Sequence, residues 1–155
     1  MKHLFAGLAI AGFGLAGAAM AESHMTPDML KAAHEARDHT MSLYAFNIAT
    51  LGAMAKGAME YDAAAAKAAA GNIAKLASQN QMAYWPKGSG VGEVEGSRVK
   101  PELWDNMDDV MAKQAALTDA AMKAEASTDL ASLQAAMGDL GKACGSCHQA
   151  YRAPE

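Results

Sequence analysis

An all-α fold, an antiparallel up-down-up-down four-helix bundle, is what this sequence predicts, and three observations carry the prediction. The chain is rich in Ala and Met, poor in Val, Ile and Thr, and never alternates apolar with polar residues over the length of a strand. Four segments carry apolar residues in alternating steps of four and three, the period of a helix with one buried face. Two short connections and one long one join these segments, which makes an antiparallel bundle the economical packing.

The N-terminus stands apart from the bundle. Met1-Lys2-His3 precedes an apolar run from Leu4 to Ala18 and a small-x-small site at Ala19-Met20-Ala21, so residues 1–21 read as a secretory signal peptide. Residues 22–155 are then one four-helix-bundle domain. The apolar run is shorter than the roughly 20 residues that cross a bilayer, and no later stretch rivals it, so export without stable membrane insertion is expected.

The first helix opens at Thr26-Pro27-Asp28, an N-cap, a proline at the first helical position and an acidic first turn. Its stripe is Leu30, His34, Arg37, Met41, Tyr44, Ile48 and Leu51. After a break between Gly57 and Tyr61, Asp62 caps a second helix whose Ala63 to Ala70 run continues to Ile73 and Leu76. From Gln81 to Lys100, Pro86, Gly88, Gly90, Gly92 and Gly96 crowd together without helical period, so this is the long loop, and long loops in compact domains often carry function. Pro101 is expected to open a third helix with the stripe Leu103, Met107, Val110, Gln114, Leu117 and Ala121, running toward Ala126. Ser127 or Thr128 is expected to cap the fourth, whose stripe is Leu130, Leu133, Met137, Leu140, Cys144, Cys147 and Tyr151.

That fourth helix carries Cys144-Gly-Ser-Cys147-His148, a Cys-x-x-Cys-His run that reads as covalent attachment of a haem c. Two thiols add to the haem vinyl groups and the imidazole of His148 binds the iron. A zinc site would need further ligands at matching spacing, and Cys144 and Cys147 are the only cysteines. A thiol redox pair belongs at a helix start in an alternating strand and helix pattern, which this chain lacks. Export suits the haem, since c-type attachment in bacteria takes place outside the cytoplasm, and a periplasmic location is expected.

The remaining question is what faces the iron opposite His148. Bundle geometry places the end of the fourth helix beside the starts of the first and third helices and the end of the second, which leaves Met29, Met41, Met82 and Met107 within reach. Met137 lies about 16 Å from His148 along its own helix and is out of reach. Depth alone slightly favours Met107, and with 12 methionines in the chain most are ordinary core side chains. His34 shares the buried stripe and His39 is offset from it.

Taken together, the four helices, the C-terminal motif followed by Tyr151 and Arg152, Arg37 on the first helix, Tyr61-Asp62 opening the second and Pro101-Glu102-Leu103-Trp104 opening the third resemble the class II c-type cytochromes, the cytochrome c' family. The resemblance covers Glu22 to Glu155. It implies one covalent haem c with His148 as the proximal iron ligand. In one branch of the family the iron is five-coordinate and binds NO or CO at a vacant distal face; in the other a methionine fills that place. The distal residue lies four positions after the family's arginine, which is Met41 after Arg37 here. The resemblance therefore implies a low-spin electron carrier with His148/Met41 ligation, with the gas-binding form as the alternative, in which Met41 is only an apolar wall. A thioether opposite histidine raises the haem potential, as electron carriers require.

A guanidinium on an apolar stripe wants an anionic partner, and a haem propionate would serve Arg37. The resemblance gives Arg152 the other propionate and Trp85 a place at the haem edge. It also implies a homodimer through the first two helices, which the alanine-rich second helix would permit. Without Lys2 the chain has 12 basic against 17 acidic residues, a formal charge of −5. Nucleic acid is thereby an unsuited partner, while redox partner proteins of the periplasm are expected. No acid-base pair or phosphate loop stands outside the haem motif, so no enzymatic turnover is expected.

Overall fold

The computed structural model describes residues 25–154, and the expected signal peptide, residues 1–21, lies outside them. Five helices follow in order: α1 Pro27–Ala55, α2 Ala63–Ala77, α3 Glu102–Asp105, α4 Met107–Glu125 and α5 Leu130–Tyr151. The long helices form a closed ring in which α1 packs on α2, α2 on α4, α4 on α5 and α5 back on α1. This is the expected up-down-up-down bundle, with α3 as a short prelude to α4.

Each long helix starts and stops for a local reason. Thr26 Oγ1 accepts the Met29 N–H at 3.3 Å ahead of Pro27, and Asp62 Oδ1 accepts the Ala65 N–H at 2.9 Å. At the end of α1 the Ala58 N–H reaches Ala53 O at 2.9 Å and the Gly57 N–H reaches Met54 O at 3.0 Å, with Gly57 at φ 73°. That pair of bonds is a Schellman closure, and it needs a residue that tolerates the left-handed region.

Two expectations are corrected. The third helix does not run unbroken from Pro101. Asn106 leaves the helical region at φ −132°, ψ 38°, and its Nδ2 donates to Glu102 O at 2.8 Å. Its side chain thus takes the carbonyl that an unbroken helix would bond to its own N–H, which turns to Leu103 O instead. The cap of α5 is Asp129 rather than Ser127 or Thr128. Its carboxylate accepts the Ser132 N–H at 2.8 Å while Ser132 Oγ accepts the Asp129 N–H at 3.2 Å, a capping box with the usual residue types reversed.

The main core joins Leu51, Met54, Ile73, Leu133 and Leu140, all essentially sealed from solvent. Alanines do the rest: Ala66, Ala69, Ala70, Ala74 and Ala77 of α2 face Ala120, Ala121 and Ala124 of α4, and side chains this small let the two backbones approach closely. A second, smaller core of Leu103, Val110 and Tyr151 lies at the far end, against Met107 and Cys147. It anchors α3 beside the C-terminal turn of α5. The long loop is stitched there as well, by Lys100 N–H to Tyr151 O at 2.9 Å, Ala153 N–H to Arg98 O at 2.7 Å and an antiparallel bridge between Val99 and Arg152.

Candidate functional site

Between α1, the long loop and the end of α5 lies a cavity of about 410 Å³. From α5 it is lined by Cys147, His148, Tyr151 and Arg152, and from α1 by His34, Arg37, Asp38, Met41 and Ala45. Trp85, Gly96, Ser97, Arg98 and Val99 close it from the loop, and Leu103 of α3 completes the wall. Cys144, one turn before His148, is half-buried behind the wall with its thiol free, as is that of Cys147.

Both thiols are shielded, and burial first of all raises the pKa of each. A thiolate-driven redox pair would need the opposite shift. Among the described residues no cluster of three or more His, Cys, Asp or Glu side chains is placed to hold a metal ion, which leaves zinc without a ligand set. His148 borders the open side of the cavity. Partial burial of its ring, then the charges of Arg152 and Arg98, pull its pKa below the ordinary histidine value. A neutral imidazole is the form that binds iron.

Of the four methionines within reach, only Met41 lines the cavity. Met29 and Met82 are exposed at 50% and 47%, and Met107 packs into the smaller core. His39 is exposed on the opposite face of α1 from the cavity-lining His34.

The charged partner expected for Arg37 meets strong local competition. At 3% exposure Arg37 is buried, and it donates from Nη1 to Tyr84 O at 2.6 Å and Ser89 Oγ at 2.8 Å. From Nη2 it donates to Ser89 O at 2.9 Å and Ser97 Oγ at 3.5 Å, with the guanidinium 5.2 Å over the Trp85 ring. Neutral loop oxygens thus satisfy four of its five donors. Arg37 ties the loop to α1 one turn before Met41, and burial lowers its pKa. Trp85 is held in turn by Trp104 Nε1, which donates to its carbonyl at 2.9 Å.

Arg98, Ser89, Ser97 and the Asp109 partner of Tyr151 carried no sequence signal. Arg98 lines the cavity and donates from Nε and Nη2 to Ala153 O, at 2.9 and 2.7 Å. Ser89 and Ser97 are buried hydroxyls inside a glycine-rich loop. Tyr151, the floor of the site, donates to Asp109 Oδ2 at 2.5 Å, and this bond pushes its pKa up to about 12. Each acts through a partner some 40 to 60 positions away.

The arrangement supplies two thiols and a neutral imidazole on one helix, a thioether on the opposing helix, and an apolar cavity with cations at its rim. Its size falls in the roughly 300–1,000 Å³ range of sites that enclose a small molecule. Comparison with known proteins agrees. The family described as Cytochrome C' matches residues 32–152. Over 120 residues the chain is 49% identical to cytochrome c-554 of Cereibacter sphaeroides, covering 76% of this chain and 78% of that one. The solved cytochrome c' from Rhodobacter Spheriodes superposes with a TM-score of 0.75 at 35% identity, covering 81% of this chain and 98% of that one. Another solved cytochrome c', described as having an unusual ligand-controlled dimer dissociation, gives a TM-score of 0.72 at 32% identity over 85% of this chain and all of that one.

Proposed function

The chain belongs to the cytochrome c' family of electron-transfer proteins with covalent haem c, and from that premise we propose that it is the low-spin, methionine-ligated kind. Cys144 and Cys147 hold the haem through thioether bonds, His148 is the proximal ligand and Met41 the distal one. The protein works in the periplasm once residues 1–21 are removed, passing electrons to and from partner proteins. Among the described residues no helix is long and apolar enough to cross a membrane.

The observation that carries this reading is the placing of Met41: it lines the same cavity as Cys147 and His148, and among the described residues no other methionine does. The donor set fits the group. Bound there, the haem supplies a one-electron couple at its iron, and a thioether opposite imidazole raises its potential. Trp85 and Leu103 give the cavity apolar wall, and Tyr151 is fixed beside it by Asp109. Arg152 and Arg98 stand at the rim as partners for the haem carboxylates. Arg37, four of whose donors go to the loop, has only its Nε to offer such a carboxylate. Over 120 residues in each case, the relative named cytochrome c-554 is 49% identical and the cytochrome c' of the same organism 38%, which supports the same branch.

The alternative draws on the likeness to the solved cytochrome c' structures: a five-coordinate iron that binds NO or CO at a vacant distal face, with Met41 as wall. Replacing Met41 by Ala separates the two. The substitution removes the thioether at a cost near 2 kcal/mol, the low end for a half-buried methionine, and the three α5 attachments keep the haem in place. The ferric protein should show a charge-transfer band at roughly 695 nm that Met41→Ala abolishes, with CO binding gained and the potential lowered. A wild-type protein without that band, already high-spin and binding CO rapidly, overturns methionine ligation in favour of the gas-binding form. Loss of the band in Met107→Ala but not in Met41→Ala moves the ligand.

A further inference from the structure

The haem cavity has a neighbour. A cleft of about 510 Å³ lies between the first turns of α1 and the loop, lined by Leu30, Lys31 and Glu35 on the helix side and by Glu93, Val94 and Glu95 on the loop side. One residue lines both spaces, and it is His34. Its side chain is only 12% exposed, with Nε2 3.7 Å from Asp38 Oδ2 one turn along. The Gly96 backbone closes on the ring, since a Cβ there would come within 3.3 Å of Nε2, and the φ of 81° at Gly96 disfavours a side chain as well. The imidazole is thus held as a partition between the two spaces.

We propose that His34 is a redox-linked proton-exchange group, taking up a proton from water in the cleft when the haem gains an electron and releasing it when the electron leaves. One electron comes from the partner protein, and at a tenfold difference in proton affinity at most about half a proton per electron follows it from water on average; both depart on oxidation. The inference rests on the haem occupying the first cavity and not on which residue faces the iron.

The charges around the ring are divided. On the cleft side stand Glu35, Glu93 and Glu95, with Lys31 paired to Glu35 at 3.7 Å, and Asp38 lies against Nε2 itself. On the cavity side stand Arg37 and Arg98, with His148 and Arg152 across the space. Reduction removes one positive charge from the cavity side and tips the balance toward the protonated ring. Histidine is the side chain whose ordinary titration falls between about pH 5 and 8, so the coupling operates near neutrality. Its sign is fixed: proton binding is tighter in the reduced protein, and the reduction potential falls as pH rises through the window.

The test is a potentiometric titration of the holoprotein over that range, beside an NMR titration of the His34 ring in both redox states. Proton affinity in the reduced protein should exceed that in the oxidised protein by about tenfold, equivalent to about 59 mV between the acid and alkaline plateaus. His34→Gln should flatten this step, while His39→Gln, on the exposed face, should keep it. A step that persists in His34→Gln, a flat wild-type profile, or equal His34 titration in the two states overturns the proposal. So does a change of axial-ligand spectrum in His34→Gln, which would make the residue a ligand. The wild-type NMR titration needs no variant, and the 695 nm band reports separately on Met41.

Discussion

Two buried polar groups, Arg37 and Tyr61, show how the same kind of atom is treated differently in this bundle. Arg37 is enclosed and its guanidinium is matched by loop oxygens, so it stabilises the loop it is buried under. Tyr61 packs against the main core, and its Oη is buried with no hydrogen-bond partner among the described residues. An unsatisfied buried hydroxyl costs about 1–3 kcal/mol, so Tyr61→Phe should raise stability by about 1 kcal/mol in denaturant melts with the haem spectrum unchanged; a loss of stability would mean that the hydroxyl has a partner after all. The Tyr151–Asp109 bond makes a pH-dependent contribution of known sign. With its pKa raised to about 12, Tyr151 contributes fully below the ordinary tyrosine value of about 10, and the contribution is lost as pH rises through about 12. Asp109, lowered chiefly by the same bond, contributes above the ordinary carboxylate value and loses that contribution as pH falls through its lowered value. A tyrosine ring-carbon resonance titrating near pH 12 should therefore vanish in Tyr151→Phe, and its survival would assign that titration to another residue. At this scale the haem motif was legible because its three groups are contiguous on one helix. Arg98, Ser89 and Asp109 were not, because each acts through a partner far away in sequence.

Glycines at helix ends and in helix interiors test the elements separately. Gly57 sits at φ 73° with no described residue within 4 Å of a Cβ position, so Gly57→Ala isolates the backbone cost of the Schellman closure. That cost is about 1–2 kcal/mol. Gly138, inside α5, also has nothing within 4 Å, but its backbone is ordinary helix. Gly138→Ala should therefore stabilise the protein by about 0.5–1 kcal/mol. Opposite signs in paired thermal melts are the expected result, and a shared sign would show that the end of α1 is not held as described. The same local logic decides which elements the sequence discloses. Thr26-Pro27 and Asp62 cap helices through their own side chains, so α1 and α2 begin where expected. The break at Asn106 depends on an amide turning back to Glu102, although nothing in the apolar stripe Leu103, Met107, Val110 interrupts the period. The start of α5 was displaced because Asp129 and Ser132 share a capping box in which the acid leads and the hydroxyl follows, one or two residues beyond the first hydroxyls that qualify.

As a whole, the molecule pairs a narrow alanine-lined seam between α2 and α4 with an outer face on α1 that nothing in the bundle covers. Leu43 and Phe46 lie there at 49% and 72% exposure, one helical turn apart. Asn47, beside Phe46, turns inward to accept from Asn72 Nδ2 of α2 at 3.2 Å, so the aromatic ring is directed away from the bundle while its neighbour fixes the two helices together. We propose that this face forms a two-fold homodimer through α1 and α2, with Phe46 as its anchor. In a two-fold contact each residue counts twice. Burying a Phe side chain gives about 1.5–3 kcal/mol, so Phe46→Glu removes about 3–6 kcal/mol of association and raises the dimer Kd by roughly 100-fold or more. With 17 acidic against 13 basic residues in each chain, the two copies repel, and salt screens that repulsion. Light scattering across a concentration series should therefore give a dimer that tightens as salt rises, and a monomer for Phe46→Glu at the same concentrations. A wild-type protein that stays monomeric throughout, or a Phe46→Glu variant that dimerises as tightly as wild type, removes this face from the assembly and leaves Phe46 as surface without a partner in the homodimer.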